Sequence, residues 1–205
     1  MDVHDWDRRY AAEALPYGTE PNTFLTSQAA LLAGADVLCI AEGYGRNATW
    51  LAQQGHRVTA VEQSGVGIAR ARALATERGV AITFVQDDLA TFDLGRERWG
   101  AIVSIFAHLP PALRADVHAR VVRALAPGGY FLLEAYSPAQ LGFGAGGPRH
   151  VELLMTSDAL RQELAGLEVI VAREVEREVN EGPMHRGLAA VVQVVGRKPP
   201  AVHLR

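Results

Sequence analysis

The stretch Val37-Leu38-Cys39-Ile40-Ala41-Glu42-Gly43-Tyr44-Gly45-Arg46-Asn47-Ala48 decides the fold. Val37 to Ala41 is an unbroken apolar run, the pattern of a strand covered on both faces. Two glycines separated by one residue follow at once. The segment from Asn47 to Gln54 then reads as a helix, and Gly55 suits the position just past a helix end. Strand, glycine turn, helix is the opening unit of an open parallel sheet, and in such sheets ligands bind beyond the C-terminal strand ends.

The same alternation continues along the chain. Arg57 to Val61 is a short β-branched strand, and Ser64 can cap a helix running to Arg78 with Gly79 as its stop. Ala81 to Val85 and Ala101 to Phe106 are the next two strands, and Pro110 and Pro111 open a helix where proline is tolerated. Pro127-Gly128-Gly129 turns the chain into a fifth strand, Tyr130 to Ala135. Thr156 or Ser157 caps a helix ending near Gly166. Glu168 to Val175 and Leu188 to Val195 are two last strands with no full helix between them, which makes them antiparallel neighbours. The expected fold is α/β: a Rossmann-like, seven-stranded, mostly parallel sheet with helices on both faces and an antiparallel last strand. Residues 1–34 read as an arm or lid with one helix ending near Leu32, residues 35–198 as the ligand-binding domain, and 199–205 as a tail.

Composition narrows the function. The chain has 205 residues, 49% hydrophobic and 21% charged, as a folded globular domain has. A net charge of −3 argues against a protein whose affinity comes from nucleic-acid phosphates. One cysteine, Cys39, allows no intrachain disulfide and no cysteine metal cluster. The seven histidines are scattered, with no H-E-x-x-H, so no metal is expected. No apolar run reaches the length of a membrane span, and the opening MDVHDWDRRY lacks the apolar core of a secretory leader. The expected location is cytoplasmic, with the chain a monomer or homodimer.

The glycine loop matches the G-x-G-x-x-G/A pattern, and Glu62 follows 17 residues after Gly45, where a carboxylate can accept both hydroxyls of a ribose. Three readings share these residues. A nicotinamide-dependent oxidoreductase would use the same glycines, but Glu42 would then oppose a pyrophosphate, and the only lysine is Lys198. A ligand with an ammonium or sulfonium group suits Glu42 better. A member of the fold that binds its ligand without turnover is the third. Asp87-Asp88-Leu89 follows the third strand, where an acid can accept the amine of adenine and the Leu89 N–H can donate to a ring nitrogen. Asp is also common in turns and caps, so that alternative stands beside the first.

Taken together, the glycine loop, the strand-two acid, the strand-three acid, Pro127-Gly128-Gly129 and the final hairpin resemble the class I S-adenosylmethionine-dependent methyltransferases. That superfamily usually has an acid and a glycine where this chain has Cys39 and Ala41. The whole chain is similar to a narrower group, the tellurite-resistance-type methyltransferases. The resemblance is carried by Trp6-Asp7-Arg8-Arg9-Tyr10, Tyr17 to Asn22, Ala41 to Asn47, His108-Leu109-Pro110, and Glu176 to Gly182 with His185. That group commonly has Glu where Tyr44 stands. The resemblance implies S-adenosyl-L-methionine as cofactor, held by Tyr17, Ala41, Glu42, Gly43, Gly45, Arg46, Glu62, Gln63, Asp88, Leu89 and Phe106. It leaves the methyl acceptor open: a small molecule, with a thiol or a chalcogen oxyanion as family-level candidates.

Methyl transfer from a sulfonium needs alignment and desolvation more than acid–base help, since the leaving group is already good. Candidates for touching the acceptor are His108, after the fourth strand, and His185 with Arg186, between the last two strands near Glu181. Each has a plainer alternative: a hydrogen-bonded helix-entry residue for His108, a polar hairpin tip for the other two. Tyr10 and Tyr17 in the arm either close over the cofactor or pack beneath the arm. The loop from Ser137 to Pro148, beside Arg149 and His150, is a lid or a linker.

Overall fold

The computed structural model describes residues 3–11, 15–32, 34–144 and 146–201. Parts of the expected arm (residues 1, 2, 12–14 and 33) and of the tail (202–205) lie outside the described residues. Seven strands form one sheet: β1 (Asp36–Ile40), β2 (Arg57–Glu62), β3 (Thr83–Gln86), β4 (Trp99–Ile105), β5 (Leu125–Tyr136), β6 (Glu168–Asn180) and β7 (Arg186–Arg197). Their spatial order is β3-β2-β1-β4-β5-β7-β6. Strands β1 to β5 are parallel, while β7 pairs antiparallel with both β5 and β6. The chain runs outward from β1 to β3, then returns to place β4 on the other side of β1. The switch point therefore lies between β1 and β4.

The alternation of side chains along each strand supplies two cores. Leu38, Ile40, Ile102, Phe131 and Leu133 face one side, against Val117 and Val121 of α5 (Pro111–Ala124) and Leu160 of α6 (Ser157–Glu163). Val37, Cys39, Ala60, Val103 and Leu132 face the other, against Ala48 and Leu51 of α3 (Arg46–Gln53) and the arm's Phe24 and Leu25. Truncating a fully buried leucine such as Leu38 costs about 2–5 kcal/mol through lost transfer energy and the cavity left behind. Helix starts follow local chemistry. The Ser64 hydroxyl accepts the Gly67 N–H at the start of α4 (Gly65–Glu77), and Thr156 does the same for Ala159 at α6.

Three expectations need correction. The arm holds two helices, α1 (Val3–Ala11) and α2 (Thr23–Ser27), and a 3₁₀ turn at Ala29–Leu32, rather than one helix. Its central residues are turn formers, and Asn22 caps α2 by accepting the Leu25 N–H at 2.9 Å. The fifth strand begins at Leu125 and runs through Pro127-Gly128-Gly129, with its pairing to β4 slipping register between Trp99 and Ala101. The last hairpin is longer than expected: β6 extends to Asn180, and Arg186 belongs to β7 rather than to the connection. Charged residues fill the outer half of β6, so apolar pattern alone ends that strand too early. Among the described residues, no helix is long and apolar enough to cross a membrane.

Candidate functional site

The site lies at the C-terminal ends of β1 and β4. Among the described residues, two of the three non-glycine residues at positive φ stand there, Ala41 (φ 48) after β1 and Phe106 (φ 54) after β4. Such conformations are costly, and they concentrate where a structure positions functional groups. The glycine loop leaves β1 with Gly43 at φ 68 and Gly45 at φ 89. A Cβ on Gly45 would stand 2.8 Å from the Ala71 Cβ, so glycine is required for α3 to approach α4.

Glu62 ends β2 and braces this loop. One carboxylate oxygen accepts the Gly43 N–H at 2.8 Å and the other accepts the Ser64 N–H at 3.0 Å. Burial raises the Glu62 carboxyl, against the lowering effect of these backbone bonds. The Gln63 backbone bonds the same carboxylate. Gln63 follows, its carbonyl accepting from the Gln86 side chain at 3.3 Å. Glu42, expected to face an ammonium, instead caps α3. One of its oxygens accepts the Asn47 and Ala48 N–H groups at 3.0 and 2.8 Å. Burial raises this carboxyl to about 7 despite those bonds and the nearby Arg46. The Cys39 thiol bonds to the same carboxylate. Asp88 is exposed and caps its own turn, with one oxygen accepting the Ala90 N–H at 2.8 Å, while Leu89 beside it is buried.

The arm covers the loop. Asp7 of α1 accepts from the Ser64 hydroxyl, and the Tyr10 hydroxyl lies 2.8 Å from where a Cβ on Gly43 would be. Tyr44 stands between two arm rings, edge-on to Tyr10 at 5.6 Å and stacked with Tyr17 at 6.2 Å, and its hydroxyl accepts the Tyr17 N–H at 2.6 Å. The glycine loop and arm thus meet through three tyrosines.

Arg46, expected at the cofactor, is instead part of a buried network. Its guanidinium donates to Glu181 at 2.7 Å and to the Glu20 carbonyl at 3.0 Å. Glu181 also accepts from Arg177 at 2.9 Å and from Asn22 at 3.0 Å. Asn22 donates to Glu134 at 2.7 Å, which is further held by Arg177 and by Gln193 at 2.6 Å. Burial pushes the Glu181 carboxyl up, but Arg46 and Arg177 outweigh it and hold the group below the usual range. This network joins the arm, α3, β5, β6 and β7. Backbone packing seals the same junction: a Cβ on Gly18 would stand 2.7 Å from the Glu181 carbonyl, and the Met184 N–H donates to Pro16. Asn22, Glu134, Arg177 and Tyr136 were missed as site residues by the sequence reading. A carboxylate within the apolar strand Tyr130 to Ala135 was the available signal, because a buried charge demands partners.

The acceptor-side candidates divide. His185 and Phe106 come together, with ring centroids 4.6 Å apart, and Tyr17 lies 4.6 Å from His185 on its other side. Tyr136 packs on both, and His108 stacks on Tyr136 at 5.6 Å. The His108 Nδ1 donates to the Leu153 carbonyl at 2.9 Å, and its Nε2 faces the Tyr136 N–H at 3.4 Å. Both nitrogens are therefore taken by backbone. Burial lowers His108 to about 4 and His185 to about 3, so both imidazoles are neutral near pH 7. Arg186 is exposed at the start of β7. In the Ser137–Pro148 segment the described residues include a 3₁₀ turn, Pro138–Gly142, tied to β7 by the bond from the Ala190 N–H to Gln140.

Residues 37–129 match the methyltransferase domain family. The chain is 30% identical over 119 residues to the 2-heptyl-1-hydroxyquinolin-4(1H)-one methyltransferase of Mycobacteroides abscessus, a match covering 57% of this chain. It spans about half, 52%, of that relative's length. Among solved structures, TehB from Haemophilus influenzae superposes with a TM-score of 0.70 at 19% identity, over 86% of this chain and 62% of that one. The N-methyltransferase NodS from Bradyrhizobium japonicum, solved with S-adenosylhomocysteine, gives 0.70 at 18% identity over 96% and 98%. The chain therefore shares the fold of these methyltransferases, and its residues 37–129 carry the match to the methyltransferase domain family.

Proposed function

We propose that this chain, whose domain is of the class I methyltransferase kind, transfers a methyl group from S-adenosylmethionine to a small organic acceptor. The observation that carries the reading is the glycine loop bound to Glu62 at the β1–β4 switch point. The residues fit the cofactor. Glu62 at the end of β2 supports a role in holding ribose hydroxyls, and Asp88 and Leu89, after β3, support one in holding the adenine. Tyr17, Ala41 and Phe106 line the approach from the acceptor side. S-adenosylmethionine supplies a methyl group on a sulfonium, with a neutral thioether as leaving group. The chain's own residues have three tasks: to orient, to exclude water and to hold the acceptor. The arm and hairpin, locked through Asn22 and Glu181, form a roof suited to the second task.

A small acceptor is supported by the arm and hairpin meeting at the strand ends through the bond from Asn22 to Glu181. The curated relative is likewise named for a small organic acceptor. Family resemblance adds a thiol or a chalcogen oxyanion as the finer candidates. The geometry favours an uncharged acceptor over an oxyanion, since Arg46 and Arg177 are paired with carboxylates and His108 and His185 are neutral.

Isothermal titration with S-adenosylhomocysteine tests the reading. The wild-type chain is expected to bind it and not NADH. Glu62→Ala is expected to weaken binding by about 1–3 kcal/mol, the scale for bonds to a charged acceptor. Equal affinities, or NADH binding in place of S-adenosylhomocysteine, would reject the assignment.

A further inference from the structure

The ring cluster at the ends of β4 and β5 holds a polar atom that nothing in the fold explains. His185 is 6% exposed, and its Nδ1 is buried without a hydrogen-bond partner. Buried polar groups are nearly always paired, so an orphan of this kind calls for an account. The side chains around it offer no protein partner. Glu181, next along the hairpin, is committed to Arg46, Arg177 and Asn22. Arg177 is also held by Glu134, and the nitrogens of His108 face the Leu153 carbonyl and the Tyr136 N–H. The remaining neighbours of the His185 ring are Tyr17, Phe106 and Tyr136. Tyr17, Phe106 and His108 are only half-buried, so the cluster has an open face beside the strained end of β4.

We propose that this cluster is the acceptor site, that it takes a flat, uncharged aromatic molecule against the rings of Tyr17 and Phe106, and that His185 Nδ1 selects for a hydroxyl on it by accepting its hydrogen bond. The proposal rests on the methyltransferase reading above and adds to it the class of acceptor and the atom that reads it. Three features separate this class from others. Aromatic walls favour a flat ring by offset or edge-on stacking. In the tautomer with its proton on Nε2, the neutral imidazole presents Nδ1 as an acceptor that cannot donate, so it rewards an O–H and gives nothing to an ether. Arg46 and Arg177 already face carboxylates, so an anion entering between the rings would have to compete for them and would lose its water. A site built to accept one hydrogen bond discriminates strongly against an analogue that lacks the donor.

The test uses the full chain and three probes of one shape: 2-naphthol, its methyl ether 2-methoxynaphthalene, and 2-naphthoate. Each is titrated at pH 7.5 with and without S-adenosylhomocysteine. Binding of 2-naphthol at least about tenfold tighter than either comparator is expected. In the His185→Phe variant, which keeps a ring but removes the nitrogen, that preference over the methyl ether should vanish while S-adenosylhomocysteine affinity stays unchanged. The His185 Nδ1 resonance in a ¹⁵N-labelled sample should shift on adding 2-naphthol and not on adding the ether. Equal binding of naphthol and ether, tighter binding of naphthoate, or no binding of any probe at millimolar concentration would overturn the proposal. The wild-type comparison stands even if His185→Phe fails to fold. Failure of S-adenosylhomocysteine to bind would count against the methyltransferase reading. Probes that do not discriminate while S-adenosylhomocysteine binds would count against the acceptor class alone.

Discussion

Glu181→Ala tests whether the buried network, rather than the hydrophobic contacts around it, holds the roof over the site. Glu181 accepts from Arg46 at 2.7 Å, Arg177 at 2.9 Å and Asn22 at 3.0 Å, and it is 4% exposed. Removing it leaves the buried Arg46 guanidinium and the half-buried Arg177 with Glu134 as the one remaining carboxylate of the network. Breaking a buried pair by deleting one partner costs about 3–5 kcal/mol, because the stranded charge keeps its desolvation cost. For a chain of this size each kcal/mol lowers Tm by roughly 2–4 °C, so a fall of about 6–20 °C is expected. Urea unfolding measures the energy directly. Hydrogen exchange over Tyr17–Asn22 and Glu181–His185 separates global loss from local opening of arm and hairpin. Glu178→Ala, on the exposed side of β6, is the control and should change stability by less than about 0.5 kcal/mol. The Glu181 carboxyl is held below its usual range in the fold, so its contribution is present above the unfolded pKa and is lost as pH falls through the folded one. The difference between wild type and variant should therefore shrink in acid. A Tm within 2 °C of wild type, with unchanged exchange in both segments, would refute this account.

Gly43→Val should abolish S-adenosylhomocysteine binding and leave the far-ultraviolet circular dichroism unchanged. Its Cβ would meet the Tyr10 hydroxyl at 2.8 Å and its φ of 68 is strained for a branched residue; unchanged affinity would sink the assignment of the loop. Glu163 accepts from Arg114 at 2.9 Å and from His118 at 2.7 Å, and these partners overcome burial to lower it to about 2. Its folded pKa is depressed, so the stability it contributes is fully present above the unfolded value and fades as pH falls toward about 2. Glu163→Gln should flatten that part of the stability–pH curve measured by urea unfolding, and an unaltered curve would contradict it. His108→Ala should lower stability by about 1–3 kcal/mol, because both ring nitrogens serve the backbone, and should leave the pH profile of any turnover unmoved. A lost acidic limb in that profile would make His108 a proton acceptor instead.

What could be read from the sequence was what is local. The run Val37 to Ala41, the glycine spacing and the Ser64 and Thr156 caps all act within a few residues, whereas the loop that Glu62 braces lies 19 residues before it. The network could not be read that way. Asn22 reaches Glu134 across 112 residues, Arg46 reaches Glu181 across 135, and Asn22 reaches Glu181 across 159. No spacing rule links residues so far apart. The alternating charges of Glu174 to Glu178 have the look of a solvated edge strand, and only Arg177 turns inward to Glu134. The same limit applies to the arm, whose Tyr10 and Tyr17 acquire a role only once Tyr44 is placed between them.

The departures at Cys39, Ala41 and Tyr44 make sense together. Where the superfamily usually carries an acid in the first strand, this chain has a buried thiol, and the carboxylate comes three residues later as Glu42. That carboxylate bonds the thiol and caps α3 through the Asn47 and Ala48 N–H groups, so the bracing of the loop is kept while its source has moved. Ala41 accepts a φ of 48 at the strand end, where a glycine would be unstrained. The tie from the Gly43 N–H to Glu62 and the bond from the Glu42 N–H to the Val61 carbonyl fix the backbone on either side of that strain. Tyr44 replaces a commonly acidic position with a ring whose hydroxyl accepts the Tyr17 N–H. A carboxylate there could accept the same bond but could not stack between Tyr10 and Tyr17. The substitution therefore exchanges a charge beside the glycine loop for an aromatic seam to the arm.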